Sequence, residues 1–257
     1  MNKLKAITAG VMLALGATGA EASINSGLYP NVGELFVSIF DPDANGGLGR
    51  TYFRDLDVPL TDVLNAGSNW TFNVNLAADA NYAGFAGQTD LQYNIAAVYT
   101  LESDSLTNID QWGFLATGSS FNGGFNNVGD TISKIQAYIS GLNTALGGNV
   151  SGVVDNGLPQ SWDDGNWGPL MGAAPSVLAS TAGGVDLATL FFQVTNNTGD
   201  NSDGIVNQIA GRWLLSSNGT LEFGPAGSSP VPVPAAIYLL GSALAGLTLV
   251  SRRGQKA

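Results

Sequence analysis

The sequence predicts a mainly β protein, an antiparallel β-sandwich carrying one amphipathic helix, with an open α+β sheet covered by that helix as the competing arrangement. Three observations predict it. Seven or eight runs alternate apolar and polar residues with period two, punctuated by Gly, Asn and Asp. One run instead repeats its apolar residues every three or four positions. About 200 residues lie between two tails that read as export signals, a length that all-β chains fold as a single domain.

The first tail covers residues 1–22. Lys3 and Lys5 precede an apolar stretch over 6–17, and Ala20 and Ala22 bracket Glu21. A charged start, a short apolar run and an A-x-A-like site read as a secretory signal peptide cleaved after about Ala22. The predicted domain then runs over 23–224. Its strand candidates are "GELFVSIF" (33–40), "RTYFRDL" (50–56), "NWTFNVNL" (69–76), "LQYNIAAVYTL" (91–101) and "QWGFLAT" (111–117). In the third of these, Trp70, Phe72, Val74 and Leu76 alternate with Thr71, Asn73 and Asn75, which describes one buried and one wet face.

The helix is read over 130–148. Ile132, Ile135, Ile139, Leu142 and Leu146 share a face, Asp130 offers an N-terminal cap, and Gly147-Gly148 can take the left-handed stop. Two turns of heptad spacing are too few for a coiled coil, so the face is expected to pack on the sheet. The stretch 147–184, with Pro159, Pro169, Pro175 and many glycines, reads as a long surface loop. Strands resume with "DLATLFFQVT" (186–195) and "IVNQIAGRWLLS" (205–216). The latter enters Asn218-Gly219 and "TLEF", a hairpin signal.

Residues 225–234 form a linker rich in Pro, Gly and Ser, and 235–257 an apolar run with a basic tail. As a helix, the sixteen residues 235–250 cover about 24 Å against a hydrocarbon core of about 30 Å, so the run spans a membrane marginally. Arg252, Arg253 and Lys256 would hold its C-terminus in the cytoplasm, with the domain on the far side. Pro232 and Pro234 keep the preceding backbone extended, a form a protease cleft accepts as a strand.

In order, the box Val231-Pro232-Val233-Pro234, the apolar run and Arg252-Arg253 resemble the PEP-CTERM sorting signal. The family usually places Glu between the two prolines; Val233 here resembles a variant form of the box. The resemblance covers only the tail. It implies a Gram-negative-type exported protein, anchored in the inner membrane before an exosortase-type protease-transpeptidase handles its C-terminus. Such proteins often occur in organisms that make exopolysaccharide or biofilm.

Composition narrows the chemistry of the domain itself. Five of the nine basic residues and only one of the twenty acidic ones lie in the tails, which leaves four against nineteen, a net charge of −15. That field repels phosphate backbones, so no nucleic acid partner is expected. The chain has no Cys and no His, which excludes disulfides, Ser-His-Asp and Cys-His catalysis, and histidine-ligated zinc or haem.

Two constellations remain. Asp41, Asp43 and Asn45, followed by Gly46, match the first half of a calcium loop, where alternate oxygens surround a hard cation. Tyr52 stands where an EF-hand has its bidentate Glu, and the same residue types serve an ordinary β-turn. Trp162 and Trp167 flank Asp163, Asp164 and Asn166 in "SWDDGNWGP"; exposed rings beside acceptors suit sugar rings, and the same tryptophans suit anchoring a long loop. With nineteen acids, no carboxylate pair is singled out for glycoside hydrolysis. The leading expectation is therefore a non-enzymatic surface or matrix protein that needs no cofactor. A glycan-binding module and a carboxylate-dependent, polysaccharide-active enzyme are the alternatives.

Overall fold

The computed structural model describes residues 23–28, 33–88, 91–100, 112–118, 128–157, 187–196 and 204–225. Among the described residues, nine strands form one antiparallel sheet: β1 (Glu34–Asp41), β2 (Arg50–Pro59), β3 (Phe72–Asn75), β4 (Gln92–Thr100), β5 (Trp112–Gly118), β6 (Ser151–Asp155), β7 (Leu187–Asn196), β8 (Ile205–Leu215) and β9 (Thr220–Gly224). Their order is β3-β9-β8-β7-β5-β4-β1-β2-β6. A turn α1 (Ala44–Gly47), left-handed at Asn45, Gly46 and Gly47, and a short helix α2 (Leu60–Ala66) flank β2, and the long helix α3 (Val128–Leu146) lies against the sheet. Among the described residues no helix is long and apolar enough to cross a membrane.

The expected two-sheet sandwich is thus replaced by a single sheet, closer to the competing arrangement. The reason is curl. Leu76 donates its N–H to Gly219 O in the β8–β9 turn at 2.9 Å, and Asn81 Nδ2 reaches Ser151 O on the far edge strand β6 at 3.1 Å. Laid flat, those strands would stand roughly 30 Å apart at about 4.8 Å per strand. The five-residue step from Leu76 to Asn81 spans at most about 18 Å. The sheet therefore bends round until the segment after β3 joins its two ends. Register shifts between Glu34 and Phe36 and between Thr189 and Phe191 interrupt the ladders, and irregularities of this kind bend strands.

Bending gives the sheet an inner and an outer face, and the central strands bury both. On β1, Leu35, Val37 and Ile39 enter the inner core with Tyr93, Ile95, Ala97, Tyr99, Leu115 and Trp213. Their neighbours Phe36 and Phe40 enter an outer core with Ala96, Val98, Phe114 and Ala116. The outer core is covered by α3, whose Ile132, Ile135, Ile139, Leu142 and Leu146 form the face read from the sequence. Alanines on β4 and β5 leave room for that helix, and Tyr138 reaches across to Ser38 Oγ at 3.2 Å. The helix begins at Val128, so Asp130 sits inside the first turn rather than capping it, where it complements the helix dipole. Gly147 and Gly148 stop it with φ of 54° and 88°, as expected.

All four alternating residues of 69–76 face the inner core, although the strand pairs only over Phe72–Asn75. The β8–β9 hairpin turns through Asn218-Gly219, with Ser216 N–H on Thr220 O at 2.8 Å. β6 and α2 are elements the sequence did not reveal, and β6 falls at the start of the stretch read as loop.

Candidate functional site

The acidic loop is the sequence candidate that falls on described residues. Asp41 ends β1, and its carboxylate Oδ1 accepts the N–H of Asp43 at 3.2 Å, an Asx turn. Its Oδ2 faces the Arg50 guanidinium at 3.3 Å. Asn45, in the left-handed region at φ 53°, turns its amide to Asp155 Oδ1 at 2.7 Å. The loop thus brings Asp41 and Asp43 together, but gives Asp41 a protein cation and directs Asn45 towards β6. A calcium ion would have to displace Arg50, which also donates to Gly84 O and lies 4.6 Å from the Phe85 ring centre. Among the described residues no group of three or more His, Cys, Asp or Glu is placed to hold a metal.

Arg50 belongs to a larger polar seam that residue types alone did not reveal. Four residues along β2, and so on the same face, Arg54 Nη1 binds Asp79 Oδ2 at 2.9 Å, and Tyr52 O–H donates to the same oxygen at 2.9 Å. Asp79 Oδ1 accepts the Asn81 N–H at 2.9 Å, and Asn81 Nδ2 binds Ser151 Oγ at 2.9 Å. Burial alone would raise the Asp79 pKa. Hydrogen bonds from Ser151, the Asn81 backbone and Tyr52, together with the Arg54 charge, outweigh that and hold it below its ordinary value. The Tyr52 phenol is pushed far up, first by burial and then by Asp79, so it serves as a donor and stays protonated.

Behind the seam lies a carboxylate with the opposite tendency. Asp55 is buried on β2, and burial pushes it up to about 6, with Glu34 and Asp57 adding repulsion. The Asp57 N–H, donated to Asp55 Oδ1 at 2.8 Å, only partly offsets this. Glu34 is raised by burial as well. Two arginines on one strand, half of the domain's basic residues, were the available sequence signal for this region. Their carboxylate partners lie 9 and 25 residues away, among nineteen acids.

Chemically, the seam closes the curled sheet: its charges and donors point at each other. An open groove of about 470 Å³ lies elsewhere, between residues 23–28 and α3, lined by Ser26, Leu28, Gln136, Ser140, Asn143 and Thr144. Among the described residues it offers hydroxyls and amides and no ionisable side chain. Trp162, Trp167, the box Val231-Pro232-Val233-Pro234 and Arg252-Arg253 lie outside the described residues, as do 1–22 and the apolar run. No family model, curated protein or solved structure matches the chain.

Proposed function

We propose that the chain is an exported, non-enzymatic β-rich protein of the extracellular matrix or envelope, sorted through a PEP-CTERM-like C-terminal signal. The observation that carries this reading is the ordered tail: two spaced prolines at 232 and 234, one apolar run over 235–250, and Arg252-Arg253. The domain is consistent with that role. Arg54 and Asp79 hold the curled sheet to its connecting segment, Asp41 is paired with Arg50 across β1 and β2, and the net charge of −15 keeps the domain soluble at high local concentration. An exosortase-type enzyme and the inner membrane are the partners before processing, and an exopolysaccharide matrix is the surrounding afterwards.

Mass spectrometry of the product recovered from fractionated native cells tests this. A chain that starts near Ser23, is missing residues after the proline box and is found at the surface or in the medium supports the proposal. Full-length chain in the soluble cytosol would end it. Turnover of polysaccharide by the purified domain would overturn the non-enzymatic part.

A further inference from the structure

Three Asn-Gly pairs fall on described residues, at 45–46, 156–157 and 218–219, and the fold treats them differently. A glycine after asparagine leaves its backbone nitrogen unshielded by a Cβ. On losing its proton, that nitrogen attacks the asparagine Cγ when nothing else holds either group. In the β8–β9 turn both are held. Gly219 N–H donates to Ser216 O at 2.9 Å, and Asn218 Oδ1 accepts the Thr220 N–H at 3.0 Å and the Ser216 hydroxyl. A Cβ on Gly219 would lie 2.9 Å from the Tyr82 ring. At the end of β6, Asn156 donates its N–H to Gly49 O at 3.1 Å, and its side-chain oxygen is buried.

Asn45 and Gly46 are both exposed. Among the described residues, the backbone bonds of the α1 turn run from Gly47 N–H to Asp43 O and from the N–H groups of Leu48 and Gly49 to Ala44 O, which passes over Gly46. A Cβ on Gly46 or Gly47 would meet nothing within 4 Å, so water reaches the Gly46 nitrogen and the chain has room to rotate away from the left-handed conformation of Asn45, at φ 53°. The Asn45 amide is held by Asp155 Oδ1 at 2.7 Å and, by a long bond of 3.4 Å, by Gly49 O. The bond to Asp155 is exposed and competes with water, so it lowers the population of free amide by only about fivefold.

We propose that Asn45 is a site of spontaneous deamidation, and that the reaction releases the α1 turn from β6. Gly46 N forms a bond to Asn45 Cγ and gives its proton to water; the Cγ–Nδ2 bond breaks and ammonia leaves, closing a cyclic imide. Water then opens the ring at Cγ, giving Asp, or at the Asn45 backbone carbonyl, giving isoaspartate with the main chain running through Cβ and Cγ. Either product puts a carboxylate where the amide donor stood. The contact with Asp155 then turns from donor and acceptor into two like charges, which repel. Isoaspartate also lengthens the main chain inside the turn closed by the Gly47–Asp43 bond. The adjoining bond from Asn156 N–H to Gly49 O is the one that loosens.

The test follows the full-length chain, kept folded in mild detergent at mildly alkaline pH, by peptide mapping for the gain of about 1 Da that each conversion brings. Asn45 is expected to convert about tenfold faster than Asn218, or faster still, because the hairpin bonds must open before Asn218 reacts. Its peptide is also expected to take label from an isoaspartyl methyltransferase. In urea the two rates should draw together, since the local sequence alone then distinguishes them. Equal rates in the folded chain would overturn the site. Asn45→Gln, which needs a larger and slower ring, should abolish conversion there; a mass gain that persisted in the same peptide would place the reaction at another asparagine and also overturn it. Release is read separately by hydrogen exchange on Asn45→Asp, in which the Asn156 amide should exchange about threefold faster than in the unaltered chain, or faster still. Unchanged exchange would overturn the release.

Discussion

Where β8, β9 and β3 meet, Trp213 stands among Trp70, Phe72, Phe191 and Phe223 at ring-centre distances of 5.3 to 5.7 Å. At the other edge, β2 and β6 are held to the same connecting segment by Arg54–Asp79, Tyr52–Asp79 and Asn81–Ser151. One end is closed by apolar area and shape, the other by charge and direction. Aromatic burial is non-directional and nearly insensitive to pH, whereas the seam depends on every partner being present and on Arg54 and Asp79 being charged. The two ends should therefore fail under different insults.

The largest effect is expected at the aromatic end. Trp213 is fully buried, and its removal to Ala leaves a cavity that its neighbours fill only in part. A loss of about 3–5 kcal/mol is expected in urea unfolding, with little dependence on pH. Among the described residues its Nε1 has no hydrogen-bond partner, so Trp213→Phe forfeits volume alone and should cost clearly less. If the Phe variant were as unstable as the Ala variant, a polar contact of the indole would have to be invoked instead.

At the seam, Asp79→Ala leaves Arg54 and the Tyr52 hydroxyl without their shared acceptor. It should cost about 2–3 kcal/mol near neutral pH, toward the low end for a broken buried pair because the site is partly wet. Its pH dependence has a definite sign. The folded-state pKa of Asp79 is depressed, so its contribution is present above the ordinary aspartate value and is lost as pH falls through the lowered one. The wild-type advantage over the variant should shrink in acid. An advantage that stayed constant down to about pH 2 would place the loss in packing rather than in charge.

Asp55, on β2 next to Arg54, should respond the other way. Its pKa is raised from 3.8 to about 6, so the folded state favours the protonated form. Stability from this group is complete below the unfolded value of 3.8 and is lost as pH rises through 6, a penalty of about 3 kcal/mol before relaxation and water are allowed for. Asp55→Asn keeps the acceptor for the Asp57 N–H and removes the charge. It should raise stability by about 1–2 kcal/mol at pH 7, with the gain vanishing near pH 3.5. A variant destabilised at both pH values would show that the carboxylate is stabilised by contacts other than those seen.

The two ends also differ in how far the sequence announces them. Trp70, Phe72, Val74 and Leu76 announce their shared face by alternation, and the isoleucines of α3 by their spacing, because burial of a face imposes a period on the chain. The seam imposes none: Arg54 and Asp79 meet only because the sheet curls. Neither could the curl be read. A run such as "ELFVSIF", buried on both faces, fits a central strand of one bent sheet as well as a strand between two layers. β6 was missed because "SGVVD" has only two apolar residues, and its pairing with β2 comes from the far side of α3. The acidic loop was legible as residue types, yet its principal charge partner, Arg50, was not.

That partnership makes calcium the mildest and most informative probe of the comparison. In the fold the Arg50 guanidinium faces Asp41 and stacks on Phe85, so a protein cation stands where the sequence suggested a metal. A divalent ion added at millimolar level stabilises only by its affinity for the folded state in excess of the unfolded one. With Arg50 in place, exchanging chelator for millimolar calcium should move the melting temperature by less than about 1 °C. Arg50→Gln removes the competing charge while keeping a donor for Gly84 O, and it leaves Asp41 without its cation. If the loop's oxygens have the right disposition, calcium should now raise the melting temperature of this variant by a few degrees. A rise of that size in the unaltered chain would mean that the ion displaces the arginine, and that the charged edge is closed by metal rather than by protein.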